Sequence, residues 1–132
     1  MTEAVGVVGG GIMGAGIAEV AARAGYDVLV REVDDDALGA TRDRLTSSLA
    51  RAVRGGRLPE ADRDAALARL SFTTDLADFA DRDLVVEAIV EDEAAKTEVF
   101  AALGKVVSPQ CLLASNTSSI PIMKLASVTA EP

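Results

Sequence analysis

The chain has 132 residues, 49% of them hydrophobic and 26% charged, which is the size and balance of one globular domain with a real core. A net charge of −8 argues against a nucleic-acid or anionic-membrane surface, and no apolar run reaches membrane-spanning length. Aromatic residues make up only 3%, so the core must be built from Ala, Val, Leu and Ile. The single cysteine, Cys111, cannot form an internal disulfide, which fits a reducing compartment. It reads as a small buried apolar residue in a strand, with no histidine in the chain to activate it. The start, Met-Thr-Glu-Ala, carries no basic segment of a signal peptide, and a cytoplasmic protein is expected.

Val5-Gly6-Val7-Val8 predicts a buried strand, and Gly9, Gly11 and Gly14 then fit the spacing G-x-G-x-x-G. A helix is expected over Ala15 to Ala24, closed by Gly25, and Val28-Leu29-Val30 predicts a second strand that leads to Glu32. Each part suits a bound dinucleotide. Gly9 permits the tight turn, Gly11 lets the backbone approach a pyrophosphate, and Gly14 lets helix and strand lie close together. The amides and positive dipole end of the helix would hold the phosphates. Glu32 lies 18 residues beyond Gly14, where a carboxylate can accept both ribose hydroxyls. Arg31 raises the alternative of a 2′-phosphate, but neighbouring side chains of an extended strand face opposite ways, so Glu32 favours NAD over NADP.

Asp34-Asp35-Asp36 reads as a helix start rather than a metal site, because acids there cap free amides and oppose the dipole. Leu38, Leu45, Leu49 and Ala52 mark the inner face of that helix, which Gly55-Gly56 ends. Pro59 opens another helix, with Ala66, Leu67 and Leu70 expected on its inner side. Residues 34–70 therefore form a helical hairpin longer than a minimal crossover needs. It carries Arg42, Arg44, Arg51, Arg54, Arg57, Arg63 and Arg69, either as a solvated face or with Arg54 and Arg57 meeting phosphates of a large anionic substrate.

Ser71-Phe72-Thr73 predicts a third strand, residues 75–79 a helical turn, and Leu84-Val85-Val86-Glu87-Ala88 a buried fourth strand. A helix from Glu93, with Ala95, Val99, Ala102, Leu103 and Val106 inward, ends before Pro109. Leu112-Leu113-Ala114 predicts a fifth strand, and Ile120 to Ala126 a further helix. The alternation defines an α/β, Rossmann-type doubly wound, mostly parallel sheet with a long helical hairpin inserted after the second strand, in one domain over residues 1–132. Ligands of such sheets bind beyond the carboxyl ends of the strands. The glycine loop with Glu32, a Glu91/Lys96 pair and the polar run Asn116 to Ser119 all fall there.

These residues resemble a known family. Gly9-Gly10-Gly11-Ile12-Met13-Gly14-Ala15-Gly16-Ile17-Ala18, Asp83-Leu84-Val85-Val86-Glu87-Ala88-Ile89-Val90-Glu91 and Ala114-Ser115-Asn116-Thr117-Ser118-Ser119-Ile120 look like the NAD-binding domain of 3-hydroxyacyl-CoA dehydrogenases, including bacterial 3-hydroxybutyryl-CoA dehydrogenases. The resemblance implies that Gly9, Gly10, Gly11, Ile12, Met13, Gly14 and Glu32 hold the ADP half of NAD. It places Glu91, Lys96 and Asn116 on the nicotinamide side and Ser118 at the substrate's 3-oxygen. Ser48 matches a position that contacts CoA in some members, with Arg54 and Arg57 able to supply charge where many members have a lysine and this chain has Gly55. No metal is implied.

The family's general base is a histidine beyond the Asn-Thr-Ser-Ser segment, and a helical C-terminal domain completes its substrate site and supplies its usual dimer contacts. This sequence has no histidine. It is expected to be the amino-terminal part of a longer enzyme of fatty-acid metabolism, inactive alone, that oxidises (S)-3-hydroxyacyl-CoA with NAD as a homodimer. A sibling acting on an acyl-carrier-protein-bound or free hydroxy acid, or a non-catalytic NAD-binding module, would share the same motifs.

Overall fold

The computed structural model describes residues 4–89 and 92–115. Five parallel strands form one sheet: β1 (Ala4–Val8), β2 (Asp27–Arg31), β3 (Leu70–Thr73), β4 (Leu84–Glu87) and β5 (Leu112–Ser115), in the order β3-β2-β1-β4-β5. Helix α1 (Ile12–Arg23) joins β1 to β2, and α2 (Asp35–Arg54) and α3 (Glu60–Arg69) form the hairpin between β2 and β3. A 3-10 turn at Leu76–Phe79 precedes β4, and α4 (Glu93–Val106) leads into β5. Strand order reverses between β1 and β4, which opens a crevice at their carboxyl ends.

Alternation along the strands divides the core between two faces. Val5, Val7, Val28 and Val30 pack with Ala15, Ala18 and Ala22 of α1 and with Leu45, Leu49 and Ala66 of the hairpin. On the other face Val8 and Val85 pack with Phe79, Val99 and Leu103. At the amino ends of the strands, buried Arg82 donates to Asp27 Oδ1 and to Asp81 Oδ1, each at 3.0 Å. The hydrogen bond from Arg82 holds the Asp81 carboxyl below the usual carboxylate range. No helix among the described residues is long and apolar enough to cross a membrane.

Asp34 caps α2 by accepting the Ala37 N–H at 2.8 Å, so the acidic triplet is a helix start as its pattern predicts. Leu38, Leu45, Leu49 and Ala52 are buried as their spacing requires, and Thr41 shares that face. Two element limits and one helix face differ from expectation. Helix α1 begins at Ile12 rather than Ala15, because Gly11 takes the cap position. Leu70 pairs with Val28 as the first residue of β3 instead of lying on the inner side of α3. The buried side of α4 is Lys96, Val99, Phe100 and Leu103, while Ala95, Ala102 and Val106 are only partly covered. The helix expected at Ile120 to Ala126 lies outside the described residues.

Gly14 sets the distance between α1 and β1, since an added Cβ would overlap the Gly9 carbonyl oxygen. Gly14→Ala is therefore expected to lower unfolding stability by about 2 kcal/mol or more, the cost of overpacking. Gly39→Ala, where a Cβ meets nothing within 4 Å, is expected to raise it by about 0.5–1 kcal/mol. Urea unfolding of both variants checks the contrast.

Candidate functional site

The loop between β1 and α1 is built almost entirely of backbone. Gly9 has φ of 103°, and a Cβ on it would lie 2.6 Å from the Ala88 carbonyl oxygen, so only glycine allows β4 to pass so close. Its N–H donates to the Arg31 carbonyl at 2.9 Å, which ties the loop to the end of β2. Gly11 caps α1 in extended geometry with no side-chain hydrogen bond, leaving the first-turn amides to an outside acceptor. Gly11 is exposed, and Ile12 and Met13 beside it are 85% and 58% exposed. An uncapped helix start behind a glycine turn fits a pyrophosphate.

Glu32 stands at the rim of this loop, half-buried. Its Oε2 accepts the Gly10 N–H at 2.6 Å and its Oε1 the Val33 N–H at 3.2 Å. Two backbone amides thus fix the carboxylate while its remaining lone pairs can accept ribose hydroxyls. Arg31 turns the other way, its Nε donating to the Thr74 carbonyl at 3.2 Å. The opposite facing expected of neighbouring strand residues is what occurs, and the acid, not the arginine, faces the loop.

Behind the loop lies a buried charge network that the sequence reading did not anticipate. Glu87, at the end of β4, and Lys96, in the first turn of α4, are both 0% exposed. Lys96 Nζ donates to Glu87 Oε2 at 2.8 Å and Oε1 at 3.0 Å. Glu87 also accepts the Ile89 N–H and the Ser115 hydroxyl, each at 2.6 Å. This network ties the β4–α4 connection to the end of β5. Of the two residues expected to line the cofactor cleft here, Lys96 is bound to Glu87, and Glu91 lies outside the described residues. The available signal was a lone acid in an apolar strand, Leu84-Val85-Val86-Glu87-Ala88, which burial makes costly unless a cation meets it.

Ser48 and Arg57 line two openings beside α1. Ser48 lines a 230 Å³ groove between α1 and α2 with Ile12, Glu19, Arg44 and Arg51. Arg57 lines a second cavity with Arg23 and Arg69, at the carboxyl end of α1. The groove runs along α1 as far as Glu19, whose carboxylate accepts Arg23 Nη1 at 3.4 Å, so the two openings follow one another along the helix. Arg54 is exposed at the last residue of α2. Cys111 is half-buried just before β5, and burial, followed by the nearby Asp83 charge, pushes its thiol pKa up, as suits an unreactive cysteine. Asn116 and Ser118 lie outside the described residues.

A parallel sheet with this strand order, a glycine loop on an uncapped helix and an acid fixed at its rim define a dinucleotide-binding Rossmann domain. Residues 4–132 match the family model of the 3-hydroxyacyl-CoA dehydrogenase NAD-binding domain. The chain is 57% identical over 131 residues to a 3-hydroxybutyryl-CoA dehydrogenase of Mycobacterium tuberculosis, covering 98% of this chain and 46% of the relative. A probable 3-hydroxybutyryl-CoA dehydrogenase of Deinococcus radiodurans is 48% identical, with 96% and 45% covered. Among solved structures, FadB2 of M. tuberculosis superposes with a TM-score of 0.97 at 57% identity, over 99% of this chain and 46% of that one. The (S)-3-hydroxybutyryl-CoA dehydrogenase PaaH1 of Ralstonia eutropha gives 0.94 at 38% identity, with 98% and 46% covered. The chain belongs to the family of NAD-binding domains of 3-hydroxyacyl-CoA dehydrogenases, and its cofactor is NAD. It spans about half the length of the relatives it matches.

Removing one partner of the buried ion pair leaves the other charge without its counter-ion. Lys96→Met is expected to lower unfolding stability by about 3–5 kcal/mol, and the double variant Glu87→Leu/Lys96→Met by less than that. A double-mutant cycle in urea checks this; additive losses would show that the pair is not coupled.

Proposed function

We propose that these residues form the NAD-binding part of a 3-hydroxyacyl-CoA dehydrogenase that oxidises (S)-3-hydroxyacyl-CoA to 3-oxoacyl-CoA in fatty-acid metabolism. The observation that carries this reading is the Glu32 carboxylate fixed on the Gly10 amide beside an uncapped α1, in a chain matched to the family from residue 4 to residue 132. The glycine loop from Gly9 to Gly14 and Glu32 hold the ADP half of NAD. Glu91 and Asn116 border the nicotinamide side, and Lys96, held by Glu87, supports that side from beneath. Held there, NAD would supply the hydride acceptor for the substrate's C3. Ser118 donates a hydrogen bond to the 3-oxygen in either direction of the reaction.

A base of matched pKa must take the alcohol proton, and the family's base is a histidine. We place it in a C-terminal half such as the twofold longer relatives possess, together with the homodimer contacts. Residues 1–132 then bind NAD without turning substrate over. For the CoA moiety, Ser48 with Arg51 offers a groove beside α1, and Arg54 and Arg57 follow on the hairpin as the proposed source of charge for its phosphates. A cytoplasmic location suits the lone thiol.

The test is reduction of acetoacetyl-CoA by the full-length protein, followed by loss of NADH absorbance. Turnover with NADH exceeding that with NADPH is expected, and Ser118→Ala should lower kcat by about 100-fold. Absence of turnover, or a preference for NADPH, would overturn the assignment. Turnover only of a carrier-protein-bound or free 3-oxo acid would move it to the sibling activity.

A further inference from the structure

Gly10 is gripped from both sides. Its N–H donates to Glu32 Oε2 at 2.6 Å. Its carbonyl oxygen accepts Arg44 Nη1 at 2.8 Å and lies 2.9 Å from Thr41 Oγ1. Both residues come from α2, more than thirty positions along the chain. Thr41 is completely buried on a helix face otherwise made of Leu38, Leu45, Leu49 and Ala52. A hydroxyl in that setting is costly unless it is hydrogen-bonded, and an apolar residue of the same shape would fill the space as well. Its one proton has two carbonyls in reach, Gly10 and, at 3.0 Å, Ala37. Arg44 holds the Gly10 oxygen whichever of these Thr41 serves.

In a trans peptide the carbonyl and the following N–H point to opposite sides of the chain. With the Gly10 carbonyl directed at α2, the Gly11 N–H is directed away from α2. That is the side on which Gly11 is exposed and an added Cβ would meet nothing within 4 Å. Glycine pairs permit the opposite peptide orientation at little steric cost, and a flipped peptide would turn a carbonyl oxygen toward the phosphates.

We infer that Thr41 and Arg44 are positioning residues of the phosphate loop, holding the Gly10–Gly11 peptide so that its N–H faces the pyrophosphate of the dinucleotide. The inference rests on the NAD reading of the loop. It gives a role to Thr41 that the core does not require, and to an arginine of the hairpin that none of the family motifs includes.

The test is binding, measured on the full-length protein by NADH fluorescence and by calorimetry with ADP and adenosine. Thr41→Val and Arg44→Met are each expected to weaken NADH and ADP by about tenfold, as for one lost oriented hydrogen bond, and adenosine by less than about twofold. Thr41→Ser, which keeps the hydroxyl, should bind NADH as the wild type does. Arg44 is exposed at the helix surface, so Arg44→Met carries the test even if Thr41→Val does not fold. Equal weakening of adenosine and ADP, or unchanged ADP binding in Arg44→Met, would overturn the inference while NADH binding by the wild type stands. Wild-type protein that takes up no NADH would remove the NAD reading and this inference together.

Discussion

At the end of β1 the backbone of three glycines is approached more closely than a Cβ there would allow, and the rest of the molecule is arranged around that meeting. The Ala88 carbonyl passes over Gly9, the Gly9 carbonyl lies against Gly14, and Thr41 presses on Gly10. A Cβ at any of these positions would push apart two of β1, α1, α2 and β4. The strand-order reversal needs β4 beside β1, and the first helix must start within a turn of the strand it follows. Both demands fall on the same few residues. The floor of the crevice is therefore made of peptide groups, whose amides can face a phosphate without a charged side chain being buried for the purpose.

Two carboxylates near this floor show how environment divides similar groups into different tasks. Glu87 is sealed in, with its oxygens occupied by Lys96, the Ser115 hydroxyl and the Ile89 amide. Nothing of it remains for a ligand, and its effect is to bind the ends of β4 and β5 to the start of α4. Such a pair contributes geometry more than net stability, because desolvation of both ions offsets much of their attraction. Glu32 is held by two amides at the rim, half-exposed, with acceptor capacity left over. The carboxylate that two local amides hold in place at the surface is the one suited to read a ribose.

Much of this was legible in the sequence, and what was missed has a common cause. The strands, the helix faces and the glycine turn follow from local rules of period, punctuation and capping, and Asp34, Leu45 and Gly9 behave as those rules say. The contrast between Arg31 and Glu32 was legible too, because alternation along a strand is a local property. Glu87 with Lys96 and Thr41 with Gly10 were not, since each joins residues whose meeting depends on how elements pack. Lys96 also hid the inner face of α4. Its position with Val99, Phe100 and Leu103 is regular helical spacing, but a lysine at the head of that row reads as surface until its partner is known. Leu70 was misplaced for a related reason, because an apolar residue ending one element and starting the next satisfies both patterns.

The long hairpin is more than an extended crossover. Thr41, Arg44, Ser48 and Arg51 follow one another at spacings of three, four and three, so they form a single stripe along α2. The first two reach the Gly10 carbonyl, and Arg44, Ser48 and Arg51 together line the groove against Ile12 and Glu19 of α1. Arg44 belongs to both halves of the stripe. A helix of ordinary crossover length could serve the loop or the groove; twenty residues serve both and still bury Leu49 and Ala52 against the sheet side. The charge of the hairpin is thereby sorted by position. Arg44 stands beside the cofactor loop, whereas Arg57, past the end of α2, lies with Arg23 and Arg69 away from it. Hairpin and glycine loop thus meet at the Gly10 carbonyl as well as through the packing of α1 on α2.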